Sequence, residues 1–333
     1  MDIIIPIAVV MSAFLALNIG ANNSAASMAT AYGAGVRTKR EAVSLIAIFA
    51  VLGALVAGGP VVKTLGKSIV PGEVLTSNIV LVLIVLLIAI FFITWANYAK
   101  VPIATTHAIV CAIAGVGLFA NSLNTDKLFE IVGWWIVTPV ISLGVNYLIG
   151  RFLYFRTLVF LSNRYSEKSI NVILSIMLTV SGCLLAFSGG ANNTANSVGP
   201  LVGMGLLETN TGAILAGLGM AVGALLLGGR VIETVGKEIT EICILRAISV
   251  EFTGAIILFT ASAMGIPISM AEIITSGIIG FSCAQHGFAI TAQNRNVLKI
   301  AFFWFVVPFV AVGISYYLSS LYYKYGTVAN LNF

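Results

Sequence analysis

Long apolar runs separated by short polar stretches dominate the chain. Ten of them contain few charged residues and approach the roughly 20 residues that a helix needs to cross a bilayer. Because Gly, Pro, polar or charged residues bound each run, each predicts one helical segment. The runs are Ile3–Leu17, Ala42–Ala57, Asn78–Tyr98, Pro102–Ala120, Leu128–Ile149, Ile170–Phe187, Thr211–Leu227, Ala247–Met264, Pro267–Ala284 and Val297–Leu321.

The composition excludes an ordinary soluble domain. Of 333 residues, 59% are apolar and 9% are charged, whereas soluble domains have about 25% charged residues. The mean hydropathy is +1.06. We therefore predict an all-α, polytopic integral membrane protein with about ten to twelve transmembrane segments, surrounded by a lipid bilayer. The net charge of +5 comes mostly from Lys and Arg in short loops, where they set orientation, so we expect no nucleic-acid binding.

Three blocks of the first half recur in the second half. Two recur at the same shift of 170 positions, and a weaker one recurs at a shift of 165. Two separate blocks in one register indicate an internal duplication. The paired blocks are Gly20–Ser27 with Gly190–Ser197, Gly58–Lys67 with Gly228–Lys237, and Pro102–His107 with Pro267–Glu272.

Loop charges predict how the two copies are oriented. Arg37, Lys39 and Arg40 follow the first block, whereas the matching stretch of the second copy carries only Glu208. Cytoplasmic loops are rich in Lys and Arg, so the copies should enter the membrane from opposite sides. We predict two inverted-topology repeats, as in many secondary transporters. Their bounds are 1–150 for the first repeat, 151–169 for a basic cytoplasmic linker and 170–333 for the second repeat.

The two Asn-Asn blocks carry Gly, Ala, Ser and Asn where a lipid-facing helix would carry bulky apolar residues. We expect broken or re-entrant helices at Gly20 and at Gly189–Gly190, which a membrane tolerates only inside protein or beside a watery cavity. A broken helix also presents N-terminal amides that favour an anion. The alternative is close helix packing through small residues. The candidate binding residues are Asn22, Asn23, Ser24, Asn192, Asn193 and Thr194.

Three hydroxyl residues follow prolines in the third pair of blocks. Thr105 and Thr106 follow Pro102, and Ser269 follows Pro267. A proline inside a membrane segment breaks or kinks the helix and frees backbone groups for bonding. We therefore expect these three residues to complete the binding site. The alternative is that their hydroxyls bond back to their own helices.

Three titratable residues lie inside apolar runs, namely His107, Glu251 and Glu272. A charged side chain at the bilayer centre costs about 2.5–3.5 kcal/mol on insertion scales, so such residues usually face a bundle interior or an ion path. We expect possible roles in cation or proton coupling. The alternatives are a core histidine for His107 and, for Glu251, a position near the membrane interface beside Arg246. The sequence has no nucleophile motif, metal-ligand spacing or phosphate-binding loop, which predicts no enzyme activity and no cofactor.

The paired signatures resemble those of the PiT family of inorganic phosphate transporters. That family repeats Gly-Ala-Asn-Asp, which here reads Gly-Ala-Asn-Asn at Gly20–Asn23 and Gly190–Asn193. Pro102–His107 resembles the family's Pro-Val-Ser-Thr-Thr-His. The resemblance covers nearly the whole chain. It implies an inverted-repeat helical fold, uptake of inorganic phosphate across the cell membrane coupled to Na+ or H+, and commonly a homodimer.

The sequence departs from the family pattern at two places. The signature aspartates are Asn23 and Asn193, and the second Ser-Thr-Thr-His reads Ser-Met-Ala-Glu at Ser269–Glu272. Losing two carboxylates removes strong ligands for a hard cation. Two coupling schemes are therefore open. One is a Na+ site at the motifs Asn22–Asn23 and Asn192–Asn193, and the other is a proton carried by Glu251, Glu272 or His107.

The same change affects the substrate. Hydrogen phosphate keeps a hydroxyl that needs an acceptor, which a carboxylate supplies, whereas sulfate is satisfied by amide and hydroxyl donors alone. Ala25–Met28 and Ala31–Gly33 also resemble the sulfate-permease branch of the family. The predicted function is cation-coupled symport of inorganic phosphate. The alternatives are a sulfate permease, with or without proton coupling, and a passive anion channel.

Overall fold

The protein folds as an assembly of helices. The computed structural model describes residues 3–99, 104–238, 244–288, 291 and 295–329. All regular secondary structure in those residues is helical, which confirms the all-α prediction. The α-helices are α1 (Ile4–Gly33), α2 (Lys39–Ala57), α3 (Gly59–Lys63), α4 (Gly72–Ser77), α5 (Ile79–Ala99), α6 (Thr105–Phe119), α7 (Thr125–Leu148), α8 (Tyr154–Arg164), α9 (Glu167–Gly203), α10 (Thr209–Gly223), α11 (Gly229–Glu238), α12 (Ile244–Ala263), α13 (Met270–His286) and α14 (Arg295–Ala329).

Most of these helices have the length and composition of membrane spans. All ten predicted apolar runs coincide with helices over most of their length. Within the described residues, seven helices are long and apolar enough to cross a bilayer, fewer than the ten to twelve segments expected. Two further apolar helices, Ile79–Trp95 and Thr105–Phe119, are shorter. The seven are Ile4–Gly33, Lys39–Ala57, Thr125–Arg164, Glu167–Gly203, Thr209–Glu233, Ile244–Ala263 and Trp304–Tyr325.

The expectation of broken helices at the Asn-Asn blocks is wrong. Helix α1 continues through Gly20, and α9 continues through Gly189 and Gly190. The glycines serve close packing instead, because a Cβ at Gly20 would overlap the backbone of Met220, and one at Gly190 would overlap the backbone of Ala50. Small residues let two helix backbones approach closely in a membrane.

The helix breaks lie instead next to the prolines of the third pair of blocks. Residues 264–269 are not helical and separate α12 from α13, as expected around Pro267. Ala104 precedes the first residue of α6 and has no helical assignment. Pro102 lies outside the described residues. Both α6 and α13 therefore begin inside the protein, with their first turns buried.

Several contacts between the two halves occur twice. When each residue of such a contact is replaced by the residue 170 positions away in the other half, the new pair is also in contact. Three close contacts of glycines in one half recur with the roles of the halves reversed. The left-handed glycines that follow α1 and α9 also match, with φ of 70° at Gly35 and 74° at Gly205. The exchanged contacts are Gly20 with Met220 and Gly190 with Ala50, Gly53 with Phe187 and Gly223 with Leu17, and Gly228 with Ser24 and Gly58 with Thr194.

Helices α1 and α9, which carry the two Asn-Asn blocks, run antiparallel to each other. Near the start of α1, the Ser12 hydroxyl donates to the carbonyl of Ser197 near the end of α9 at 2.8 Å. Near the other end of α1, Ser27 and Met28 contact Gly182. These contacts place Gly20 opposite Gly189, so the two Asn-Asn blocks begin next to each other and extend in opposite directions along the antiparallel helices.

The last helices of each half pack on the other half. The Ser315 hydroxyl of α14 donates to the carbonyl of Ala112 in α6 at 2.7 Å. The Ser142 hydroxyl of α7 donates to the carbonyl of Ile273 in α13, also at 2.7 Å. The segment 151–169 is largely helical, since α8 continues from α7 through a π-helical turn, Ile149–Leu153. The halves therefore interlock and are not separate compact bodies.

Candidate anion site

One buried stripe of α9 presents amides to its neighbours. Gly189, Asn193 and Asn196 are spaced so that they share one face of the helix. The Asn196 amide nitrogen donates to Asn193 Oδ1 at 3.0 Å and to the Thr106 hydroxyl at 3.1 Å. Asn193 Nδ2 and Asn196 Oδ1 are buried and have no hydrogen-bond partner among the described residues. An unpaired donor and an unpaired acceptor thus lie on adjacent turns, where a polar ligand would satisfy them.

The N-terminal ends of α6 and α13 meet at this stripe. The Thr106 hydroxyl in the first turn of α6 donates to the carbonyl of Ile268 at 3.0 Å. Ser269 caps α13, where its hydroxyl accepts from the Glu272 backbone amide at 3.3 Å. Thr105, the first residue of α6, is also buried. Helix N-termini carry partial positive charge, so two of them meeting at unpaired polar groups favour an anion.

His107 and Glu272 lie in the same first turns and contact each other. His107 Nε2 is 3.2 Å from Glu272 Oε2, and both side chains are buried. The imidazole stacks on Trp135, with ring centroids 3.7 Å apart, and the Trp135 indole nitrogen donates to the carbonyl of Pro267 at 2.9 Å. Neither imidazole nitrogen makes an aligned hydrogen bond within the described residues.

Asn23 faces the stripe from α1. It is half-buried, and its amide nitrogen lies 4.0 Å from the position that a Cβ on Gly189 would occupy. Met270, the first residue of α13, contacts the same glycine through its sulfur. Asn22, the preceding residue on α1, is also half-buried. The site therefore receives polar groups from both Asn-Asn blocks.

Asn192 joins α9 to the break between α12 and α13. Its amide nitrogen donates to the Ser262 hydroxyl and to the carbonyl of Ile266, each at 3.0 Å. Its amide oxygen accepts from the backbone amide of Ile268 at 3.1 Å. With both ends of its carboxamide bonded inside the protein, Asn192 holds the non-helical segment in place.

Ser24 and Thr194 occupy equivalent positions and behave alike. Each hydroxyl donates to a carbonyl one turn earlier in its own helix, Gly20 at 2.9 Å and Gly190 at 2.6 Å. Such back-bonding is common for Ser and Thr within helices. Each side chain also packs against a glycine of the other half. The structure does not bring these two hydroxyls to the unpaired atoms of the stripe.

Glu251 lies away from the stripe. The hydroxyls of Thr30 and Ser181 donate to its two carboxylate oxygens, the second at 2.5 Å. Glu251 is eleven residues from Ser262 along α12, and Ser181 is eleven residues from Asn192 along α9. At 1.5 Å per residue, both spacings correspond to about 16 Å. The three candidate coupling residues thus divide into a pair at the stripe and one separate carboxylate.

The cluster offers neutral donors and a single carboxylate. Its donors are the Asn193 amide, the Thr105 hydroxyl and the backbone amides in the first turns of α6 and α13, and its carboxylate is Glu272. Within the described residues, no three or more His, Cys, Asp or Glu side chains are grouped so that they could hold a metal ion. The arrangement suits an anion that accepts hydrogen bonds from many directions.

Comparison with known proteins assigns the family. Residues 19–315 match the phosphate transporter family. The chain belongs to this family. The sulfate permease CysP of Bacillus subtilis (strain 168) is 38% identical over 321 residues, which cover 95% of this chain and 88% of the relative. A solved structure of a sodium-dependent phosphate transporter aligns with a TM-score of 0.79 and 26% identity, over 96% of this chain and 99% of that chain. This member of the phosphate transporter family is a multi-pass membrane protein.

Sequence reasoning missed two residues of the site in this family member. Asn196 belongs to the second Asn-Asn block, and its spacing of three residues from Asn193 is the signal that places both on one helix face. Trp135 stacks on His107, but it lies in another apolar run with no local motif. Its role becomes visible only when α7 packs against the start of α13.

Proposed function

We propose that this protein is a secondary active transporter of an inorganic tetrahedral oxyanion, with sulfate as its first substrate. The observation that carries the proposal is the buried amide nitrogen of Asn193, a donor with no hydrogen-bond partner among the described residues, which lies where the N-termini of α6 and α13 meet. Buried polar groups are normally paired, so unpaired ones beside two helix N-termini support an anion site.

Two features favour sulfate. The family signature has aspartates where this chain has Asn23 and Asn193, so two anionic groups are missing from the site. Sulfate is fully deprotonated at neutral pH and needs donors alone, and each carboxylate removed lowers repulsion of a dianion. CysP, the relative that is 38% identical, is named as a sulfate permease.

Phosphate is the second candidate because the cluster also contains acceptors. Asn196 Oδ1 is unpaired, and Glu272 lies nearby in the first turn of α13. Either oxygen would accept from the hydroxyl that hydrogen phosphate keeps. The solved structure that aligns with this chain is a sodium-dependent phosphate transporter.

We assign Asn23, Thr105, Thr106, Asn193 and Ser269 to the anion, with His107 and Glu272 at its edge. Asn22 adjoins the site, whereas Asn192 orients the helix break and Ser24 and Thr194 pack the two halves together. A Na+ site at the Asn-Asn motifs would rely on neutral amide oxygens, which are weaker ligands than carboxylates for a hard cation. The proposed coupling ion is therefore H+.

We further propose that 1–150 and 170–333 are inverted repeats that rock about the site. The antiparallel course of α1 and α9 and the exchanged glycine contacts support opposite insertion of two related halves. Transport would then expose the midplane cluster alternately to the two sides. A passive channel would use the same cluster but could move the anion only down its gradient.

The test is uptake by liposomes that contain the purified protein. Labelled sulfate and labelled phosphate are offered separately under an imposed proton gradient, an imposed sodium gradient or neither, with protein-free liposomes as the control. We expect sulfate to accumulate above its external concentration when the outside is acidic. Dissipation of the gradient without accumulation would indicate a channel, and no uptake of either anion would overturn the proposal.

A further inference from the structure

The Glu251 carboxylate lies at a junction of three helices from both halves of the molecule. It belongs to α12, its Oε1 accepts from Thr30 of α1, and its Oε2 accepts from Ser181 of α9 at 2.5 Å. Its side chain is 2% exposed. Thr30 comes from the first half, whereas Ser181 and Glu251 come from the second half. This carboxylate therefore bridges the two bodies that alternating access requires to move.

No positive charge neutralises this carboxylate within the described residues. Glu251 forms no ion pair there, although α1, α2, α3, α7, α9 and α13 all contact α12. Cys183 on α9 interacts electrostatically with Glu251 and with Arg37, which follows α1 and whose Nε donates to Thr179 at 3.0 Å. Arg246 on α12 itself donates to the carbonyl of Ile278 at 3.0 Å. The charged residues and the histidine on the contacting helices, none of which forms an ion pair with Glu251, are Lys39, Arg40, Glu41, Lys63, Asp126, Lys127, Glu130, Glu167, Lys168, Glu272 and His286.

We infer that Glu251 is the proton-binding site that drives anion transport. The inference rests on the proposed function and names the ion and its site. A carboxylate buried in a bilayer without a counter-ion is tolerated when a proton neutralises it. Water at one membrane face gives a proton to one carboxylate oxygen, which forms an O–H bond. The same proton is released to water at the other face, so the cycle moves one proton and leaves Glu251 unchanged.

The ligand geometry favours a proton over Na+. Four side-chain oxygens meet here, two from the carboxylate and one each from Thr30 and Ser181. Both hydroxyls already donate to the carboxylate, and the Ser181 hydroxyl is also 3.0 Å from the carbonyl of Leu178. A cation would have to turn those hydroxyl protons away from it. A proton requires only one hydroxyl to turn, because the protonated oxygen then donates to that hydroxyl while the other oxygen still accepts.

The distance from the anion cluster determines how coupling would work. Ser181 and Asn193 are twelve residues apart along α9, about 18 Å, and Thr30 and Asn23 are seven residues apart along α1, about 10 Å, so proton and anion do not touch. Both ligands instead act on the contact between α1 and the paired helices α9 and α12. A rocking motion that separates Thr30 from Glu251 removes one hydrogen bond from the ionised carboxylate and so changes its affinity for the proton. The two ligands then bias the same two-state motion.

The test compares two transport modes of Glu251→Gln in liposomes. Accumulation of labelled sulfate under an outside-acid gradient requires proton movement, whereas exchange of labelled for unlabelled sulfate at equal pH requires only the anion site. We expect gradient-driven accumulation by this variant to fall at least about tenfold, while its rate of exchange stays within about twofold of wild type. Glu130→Gln is the matched control, since Glu130 pairs with Lys127 on the surface and should behave as wild type.

Each outcome separates this inference from the proposed function. Gradient-driven accumulation by Glu251→Gln at the wild-type level would overturn the proton site. Accumulation by the wild-type protein under a sodium gradient alone would also overturn it, while transport itself stands. Absence of sulfate and phosphate transport by the wild-type protein would instead remove the proposed function.

Two further measurements test the same inference without the Glu251→Gln variant, in case that variant does not fold. Thr30→Val keeps the side-chain shape and removes one hydrogen bond to the ionised carboxylate, so the pH of half-maximal uptake should rise by about half a unit. An unchanged midpoint would contradict the inference. Infrared difference spectra of the wild-type protein between acid and alkaline pH should show the carbonyl band of a buried carboxylic acid. Ser181→Ala should shift that band, and an unshifted band would exclude Glu251 as its source.

Discussion

His107 Nε2 and Glu272 Oε2 lie 3.2 Å apart, although the two residues are separated by 165 positions and occupy equivalent places in the two halves. The predicted inverted repeats would be related by a twofold exchange, and residues so related contact each other only near its axis. The pair lies where the first turns of α6 and α13 meet.

The His107–Glu272 contact gives the first prediction. Glu272→Gln keeps the size of the side chain but removes the charge beside the imidazole. Because removing a negative charge lowers the repulsion of a dianion, we expect sulfate affinity in exchange assays to rise roughly tenfold. A change of less than twofold, with Glu130→Gln as the reference, would place the pair outside the site.

The unpaired amide of Asn193 gives the second prediction. Asn193→Leu removes a buried donor from the stripe and replaces it with an apolar side chain of similar size. We expect sulfate exchange to fall at least about tenfold, with normal insertion and a normal gel-filtration profile. Asn163→Leu, at an exposed position of α8, is the control. Equal activity of the two variants would remove Asn193 from the anion site.

Restoring the carboxylates of the family signature gives the third prediction. The double variant Asn23→Asp with Asn193→Asp adds two charged oxygens, which are strong ligands for a hard cation and acceptors for the hydroxyl of hydrogen phosphate. We expect the ratio of phosphate to sulfate uptake to rise at least about tenfold and to become dependent on Na+. An unchanged ratio would show that these two positions do not select the anion.

Asn192 gives the fourth prediction, and it concerns stability. Asn192→Ala leaves the Ile268 amide and the Ile266 carbonyl unpaired in a buried segment. An unsatisfied buried polar group costs about 1–3 kcal/mol, so the melting temperature in detergent should fall clearly. Ser262→Ala leaves both of these bonds in place and removes only the Asn192–Ser262 hydrogen bond and the bond from Ser262 back to Leu258, so it should cost less. Equal melting temperatures for Asn192→Ala and wild type would contradict this structural role.

The glycine contacts give the fifth prediction. Gly190→Ala places a methyl group inside the backbone of Ala50, and overpacking of a buried contact costs about 1–3 kcal/mol or more. We expect poor folding yield and a lower melting temperature. Gly133→Ala is the matched control, because nothing lies within 4 Å of a Cβ at that helical position. Similar stability of the two variants would mean that α2 and α9 do not cross so closely.

The residues themselves predicted much of the site but not its geometry. The repeated blocks and the intramembrane His107, Glu251 and Glu272 identified the side chains that matter, because polar groups in apolar runs need a reason to be there. The helix break at Pro267 was also predicted, since proline cannot continue the backbone hydrogen bonding of the preceding turn. The expected breaks at Gly20 and Gly190 were wrong, because glycine permits close packing as readily as it permits a break.

Hydropathy, which can be read along the chain, determined a helical membrane protein, and internal repetition predicted two related halves. Only the tertiary structure decided which polar residues share a site. Asn193 and Asn196 face the first turns of α6 and α13, whereas Asn192 faces Ser262. Glu251 lies about 16 Å from Ser262 along α12. The reason is helix geometry, since one position along a helix is a rotation of about 100° and a rise of 1.5 Å. Adjacent residues in the same motif thus point to different neighbours, and packing between distant helices selects those neighbours.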